Sequence, residues 1–213
     1  MDTVTLLTRA YEARGRAPID DATKAKLVVA AAKQVELFGI QRTTMEDVAK
    51  RAGVSRVTVY RHFPGRDELI GAVLLHEVER FLTSLGAHLD GLRTDEERIV
   101  EGFVFTVVTL REHALLRRLV EGEPELFLPQ LTTGAGPLID YARTLIVAWA
   151  ADRTDLQRDE LAILAEVGVR LALSFVITPS AALELDDEDG LRQVVRRALG
   201  PVLTSRRRAR PTR

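Results

Sequence analysis

The sequence predicts an all-α protein, and three observations carry that expectation. Apolar residues recur every three or four positions through most of the chain. No stretch sustains the period-two alternation of a half-buried strand. The breaks between periodic stretches coincide with helix-stopping signals: Gly39, Gly53, Pro64-Gly65 and Thr178-Pro179. With 213 residues, 46% hydrophobic and 29% charged, the chain is long and apolar enough to bury a core, which excludes a wholly disordered or collagen-like polymer.

The elements follow in order. Leu27, Ala31, Val35 and Phe38 mark one face of a first helix over 24–38, closed by Gly39. Thr43 and Glu46 stand at capping-box spacing before a second helix, which carries Val48, Ala49 and Ala52 and stops at Gly53. Ser55 is the N-cap of a third helix reaching Phe63, with Val59 and Phe63 on one face. A long fourth helix spans 67–89 through Ile70, Leu74, Val78, Phe81 or Leu82, and Leu85, and a fifth spans 95–112. Residues 122–137 hold six Gly or Pro and read as a short helix with loops. Helical pattern returns over 138–151 and 160–177. The last helix, 189–203, repeats Leu191, Val194, Val195, Ala198, Leu199, Val202 and Leu203, with acids at its N-terminus and Arg196 and Arg197 toward its C-terminus.

Charge is distributed unevenly along this order. The total is −1, which by itself disfavours a nucleic-acid partner. Yet residues 21–66 carry nine Lys/Arg against four Asp/Glu, including all four lysines, Lys24, Lys26, Lys33 and Lys50. Residues 67–203 carry 13 Arg against 24 acids, and 204–213 carry five Arg and no acid. A basic head on an acidic body suits one part of the molecule to an anionic partner. Absence of cysteine excludes disulfides, thiolate nucleophiles and zinc fingers. No signal peptide is evident after Met1, and the apolar stretch 161–177 is interrupted by Glu166 and Arg170, so a cytoplasmic protein without membrane spans is expected.

Residues 44–63 describe helix, sharp turn, helix. Ala49 is small enough for two helices to cross closely, Gly53 opens the turn, and Val54, Val59 and Phe63 fix the angle between them. Arg56, Thr58, Tyr60 and Arg61 remain for the outer face, and these types reach base edges and phosphates. An αα-hairpin within an ordinary bundle is the alternative at this point.

The run Ala49-Lys50-Arg51-Ala52-Gly53-Val54-Ser55-Arg56-Val57-Thr58-Val59-Tyr60-Arg61-His62-Phe63 resembles the signature of the TetR (tetracycline repressor) family. So do Phe38-Gly39, Thr43-Thr44 and Arg66-Asp67-Glu68-Leu69, and the likeness covers about 24–80. It implies a homodimeric, all-α transcriptional regulator, a repressor released from a palindromic operator by a small ligand. It further implies base contacts at Arg56, Val57, Thr58 and Arg61, with Ser55 opening the recognition helix. Tyr60, His62, the helix start at Thr44 and Arg66 match positions that meet phosphate. Arg56 and Arg61 suit guanine, and Val57 suits a thymine methyl, although the family often has a small residue where Val57 stands.

The implied organisation is an N-terminal extension (1–20), a helix-turn-helix domain (21–67), a helical ligand-binding and dimerisation domain (68–203) and a basic tail (204–213). Arg9, Arg14 and Arg16 in the extension are placed for a minor groove or for a free tail, and the tail is favoured. The five C-terminal arginines read as a solvated tail. Helices 160–177 and 189–203 are the natural dimer pair, in which Glu166 and Arg170 either pair or lie in solvent. The effector pocket is expected at Phe103, Val107, Leu110, Leu126, Phe127, Tyr141, Leu145, Trp149 and Phe175, an apolar set suited to a hydrophobic ligand, with 122–137 as its entrance.

Catalytic patterns fail on their details. Gly134-Ala135-Gly136 lacks a third glycine and a preceding strand, and Leu173-Ser174-Phe175 is no nucleophile elbow. His62, His76, His88 and His113 have no metal-ligand spacing, and the acids at 184–189 lack calcium-loop order. No enzyme, metal or cofactor is expected. The competing reading is a helical carrier or enzyme whose N-terminal helices only pack.

Overall fold

The apolar spacings read from the sequence close into helices in the computed structural model, which describes residues 22–154, 156–178 and 187–204, with side chains for all of these except Leu126 and residues 199–204. The elements are α1 (Ala22–Phe38), α2 (Met45–Ala52), α3 (Arg56–His62), α4 (Arg66–Leu89), α5 (Asp95–Glu112), α6 (Ala114–Gly122), α7 (Pro124–Leu131), α8 (Gly136–Ala150), α9 (Arg158–Ile177) and α10 (Glu188–Thr204). No strand occurs among the described residues. The N-terminal extension and the arginines of the C-terminal tail lie outside them.

Two compact units form. The first joins 22–82 to 113–138. Its core holds Leu27 and Val35 of α1, Val48 and Ala52 of α2, Val59 of α3, Phe63, and Ile70 and Val73 of α4. Leu115 and Leu119 of α6 and Phe127 of α7 complete it. The physical reason is a shortage of apolar surface. Helices α2 and α3 have only eight and seven residues, and α3 buries Val59 alone. A head of that size closes its core only by borrowing cover from a later part of the chain.

The stretch at 113–122 carried no helix expectation. Its two apolar anchors, Leu115 and Leu119, make a single i,i+4 pair, and a histidine is the cap: His113 Nδ1 accepts from Leu116 N–H at 3.3 Å. Within the stretch read as broken, α7 forms around Pro124 and Pro129, and Gly134 N–H returns to the Pro129 carbonyl at 2.7 Å.

The second unit gathers 83–112 and the described residues from 139 onward. One apolar cluster packs Val100, Phe103, Val104 and Val107 of α5 against Ala172 of α9 and Leu191 and Val195 of α10. Another packs Val147 and Ala150 of α8 against Leu161 and Ala165 of α9. Arg192 ties α10 to α5 through Glu101, with Nε–Oε1 at 2.8 Å and Nη2–Oε2 at 3.1 Å. Arg111 reaches from α5 to the Phe175 carbonyl, with Nη2 at 2.9 Å. At the start of α10, Gly190 N–H donates to Asp187 Oδ1 at 2.6 Å, the acidic start the sequence indicates. Glu166 and Arg170 do pair, at 2.9 Å, on an exposed part of α9.

Candidate nucleic-acid interface

Local chemistry sets the start of α2. Thr44 has extended backbone, φ −109° and ψ 156°, and its Oγ1 accepts from Asp47 N–H at 3.1 Å while donating to Asp47 Oδ2 at 2.5 Å. The cap is therefore Thr44 with Asp47, one residue later than the expected Thr43 and Glu46. Both pairs have the same spacing, and burial decides between them. Thr43 turns inward, 2% exposed, with its hydroxyl donating to the Gly39 carbonyl at 2.8 Å. That leaves Thr44 outside, at the helix mouth.

Between α2 and α3 the chain makes a Schellman turn. Gly53 sits at φ 65° and ψ 36°, its N–H reaches the Lys50 carbonyl at 3.2 Å, and Val54 N–H reaches Ala49 at 3.0 Å. Ser55 then caps α3, accepting from Thr58 N–H at 3.1 Å. Val59 and Phe63 are buried, which fixes the rotation of α3 about its axis. As a consequence Arg56, Val57, Tyr60 and Arg61 are exposed. Val57 is 78% exposed, so its apolar surface is left open on this face.

Arg56 and Tyr60, one turn apart, form a unit. The guanidinium lies over the ring at 5.4 Å and Nη2 approaches the phenol oxygen at 3.4 Å. This hydrogen bond to Tyr60 holds the Arg56 guanidinium above its ordinary pKa. Thr58 and His62 are half-buried. The Thr58 hydroxyl stands 2.9 Å from Ser55 Oγ, within the cap. Arg66 turns inward: Nε donates to the Thr43 carbonyl at 3.0 Å and Nη2 to that of Ile40. Of the nine residues expected at DNA, four line the outer face of α3, and Thr44 and Ser55 mark the two helix starts. Thr58 and His62 are partly covered, and Arg66 braces the α1–α2 loop.

Two further residues act here without a sequence signal. Gln34, buried on α1, accepts from Arg51 Nε of α2 at 2.7 Å. Glu123 accepts from the Gln41 N–H at 3.1 Å, across 82 residues of chain. Neither pairing has a local spacing that reveals it.

The expected effector residues divide among the clusters. Phe103 and Phe175 meet edge to face at 5.8 Å, and Val107 is buried in the same cluster. Leu110, Tyr141 and Leu145 are half-buried. Trp149 borders the α8–α9 cluster with the Arg153 guanidinium 4.9 Å above its ring. Phe127 belongs instead to the core of the first unit, where it packs with Leu115 and Leu119. The Leu126 side chain is outside the described residues. Among the described residues no group of His, Asp or Glu could hold a metal, and no helix is long and apolar enough to cross a membrane.

The fold and the turn define a helix-turn-helix protein. Residues 27–73 match the family model of bacterial regulatory proteins, tetR family, and 96–197 match that of the bacterial tetracyclin repressor C-terminal domain. The chain belongs to the TetR family. It is 31% identical over 143 residues to the HTH-type transcriptional regulator AlkX of Mycobacterium tuberculosis, covering 65% of this chain and 67% of that one. An uncharacterized HTH-type transcriptional regulator of the same species is 33% identical over 101 residues, 47% of this chain. The chain spans about half the length of that relative, 51%. Among solved structures, the TetR family repressor AlkX from Dietzia sp. strain DQ12-45-1b, implicated in biodegradation of n-alkanes, superposes with a TM-score of 0.63 at 27% identity, covering 85% of this chain and 95% of that one. The multidrug binding protein EbrR, solved with imidazole, gives 0.56 at 26% identity, covering 84% and 90%.

Proposed function

We propose that the protein is a homodimeric repressor that reads a palindromic operator with α3 in the major groove and releases it on binding a small hydrophobic effector. The observation that carries the reading is the face of α3. Buried Val59 and Phe63 leave Arg56, Val57, Tyr60 and Arg61 outward on a helix capped by Ser55. Arg56 and Arg61 supply bidentate donors for guanine and Val57 an apolar surface for a thymine methyl, while Tyr60 and the α2 start at Thr44 meet phosphates. His62 and Thr58 contribute at the edge of that face.

Dimerisation through α9 and α10 is supported by apolar residues left open on α9: Ile163, Val167 and Leu171. For the effector, Phe103, Val107, Leu110, Tyr141, Leu145, Trp149 and Phe175 remain the set of choice; Phe127 leaves it because it packs with the helix-turn-helix core. The likeness to a repressor implicated in n-alkane biodegradation and to a multidrug binding protein supports an apolar effector.

Selection of bound fragments from genomic DNA tests the reading. It is expected to recover one inverted repeat with half-sites about one helical turn apart. The pair Arg56→Ala with Tyr60→Ala is expected to abolish that binding while the dimer persists. A selection that yields no common repeat refutes the proposal.

A further inference from the structure

We infer that Glu123 is a positioning residue for operator binding: it never reaches DNA, and it anchors the loop that aims α2. The inference rests on the DNA-binding reading above. Glu123 is both the last cap of α6 and the first of α7. Its N–H donates to the Leu119 carbonyl at 3.0 Å, and its carbonyl accepts from Phe127 N–H at 3.1 Å. Leu119 and Phe127, on either side, are buried in the core of the first unit, so the Glu123 backbone is fixed from two directions.

From that point its carboxylate extends into the α1–α2 loop. Oε1 accepts the Gln41 N–H at 3.1 Å, a charge-assisted bond stronger than a neutral one. Space for it exists because residue 39 is glycine. A β-carbon on Gly39 would overlap the same oxygen, and φ 84° there independently favours glycine. The rest of the loop is held from the other side. Arg66 takes the carbonyls of Ile40 and Thr43, and the Thr43 hydroxyl takes that of Gly39. Acceptors are thus supplied with donors by Arg66 and Thr43, and the Gln41 donor is supplied with an acceptor by Glu123.

Three residues after Gln41 comes Thr44, the cap of α2, and α2 leads through the Gly53 turn into α3. A shift of the loop therefore moves the helix start that meets phosphate and, through a rigid turn, the reading helix. Among the described residues Glu123 Oε2 is buried and has no hydrogen-bond partner, a cost to the fold.

The test uses full-length Glu123→Ala and Glu123→Gln variants with the selected inverted repeat. Amide exchange at Gln41 is read by NMR, operator affinity at several salt concentrations, and folding by a thermal melt. Glu123→Ala is expected to speed Gln41 exchange about tenfold and to weaken the operator about tenfold, with the salt slope of the wild type, because the substitution removes no Lys or Arg that neutralises a phosphate. Glu123→Gln keeps an acceptor oxygen and is expected to restore most of both. If Glu123→Ala does not fold, Glu123→Asp, one methylene short, replaces it with the same expected direction. Unchanged exchange, unchanged affinity, or failure of Glu123→Gln to restore either overturns the role. A wild-type chain that binds no repeat overturns the DNA-binding reading itself, whereas wild-type binding unaffected by Glu123→Ala overturns this role alone.

Discussion

The guanidinium of Arg66 donates from Nε to the carbonyl of Thr43, 23 residues earlier in the chain, at 3.0 Å, and from Nη2 to that of Ile40. Family resemblance places a phosphate contact at this position, and the geometry shows a brace. Arg66→Ala is expected to destabilise the fold by about 1–3 kcal/mol, the cost of stranding partly buried carbonyls. Its operator salt dependence is expected to match the wild type, whereas losing a phosphate contact lowers the log–log slope by about one. Melts and salt titrations separate the two roles.

Val57 offers the converse case, a side chain that stability does not need. At 78% exposure its truncation is expected to change folding free energy by less than about 0.5 kcal/mol. Its apolar surface does suit a thymine methyl, so Val57→Ala is expected to relax preference at one base pair in each half-site by about 1 kcal/mol. Repeating the DNA selection with the variant reads that change; an identical consensus removes Val57 from the readout.

Much of the helix-turn-helix was legible because its signals are local. Gly53, Ser55, Val59 and Phe63 each announce a cap, a turn or a buried face within a few residues, and each falls where the sequence indicates. The Thr43–Thr44 slip shows the limit: two threonines with equivalent partners differ only in burial, which is a tertiary property. The same holds for Phe127, Glu123 and Arg66. An apolar residue in a proline-rich stretch gives no sign of which core it enters, and a carboxylate that bonds to an amide 82 residues away has no spacing to betray it. The first unit recruits α6 and α7 from a distance, so its boundary was out of reach of local pattern.

Gly39 and Gly53 share the left-handed conformation, at φ 84° and 65°, but differ in surroundings. A β-carbon on Gly53 meets nothing within 4 Å, so Gly53→Ala is expected to cost only the conformational strain, about 1–2 kcal/mol. On Gly39 the same change adds a collision with the Glu123 carboxylate and is expected to cost more. Urea unfolding of Gly39→Ala, Glu123→Ala and the double variant forms a cycle in which the double is less destabilised than the two singles added together. Strict additivity would place the two residues out of contact.

An apolar ridge on α9 carries the fourth expectation. Ile163 is 66% exposed and Val167 44%, one turn apart. If a second copy covers them, Ile163→Glu with Val167→Glu is expected to convert a dimer to a monomer in sedimentation while leaving helical content intact. Operator affinity is then expected to fall far more than for a single half-site, because two linked half-sites bind with an effective-concentration advantage. A variant still dimeric locates the interface elsewhere.

Acid sensitivity follows from the Glu77–His113 contact. His113 Nδ1 accepts the Leu116 N–H, which assigns the ring proton to Nε2, and Nε2 stands 3.2 Å from Glu77 Oε2. This bond, helped by Arg80 at 3.2 Å and by the charge of His76, holds the Glu77 carboxyl below its ordinary value of 4.5, against the opposing effect of burial. The folded state thus binds this proton less readily than the unfolded chain. Its stabilisation is complete above about pH 4.5 and is lost as pH falls through the lower, folded-state value. Glu77→Gln removes a titrating group without removing an acceptor, so its urea midpoint is expected to fall less steeply with acid than that of the wild type. The divergence belongs below about pH 4.5, and near neutrality the variant is expected to be the less stable of the two, having exchanged a charged acceptor for a neutral one. Midpoints that run parallel from neutral pH through the acid range would show that folding does not shift the Glu77 titration.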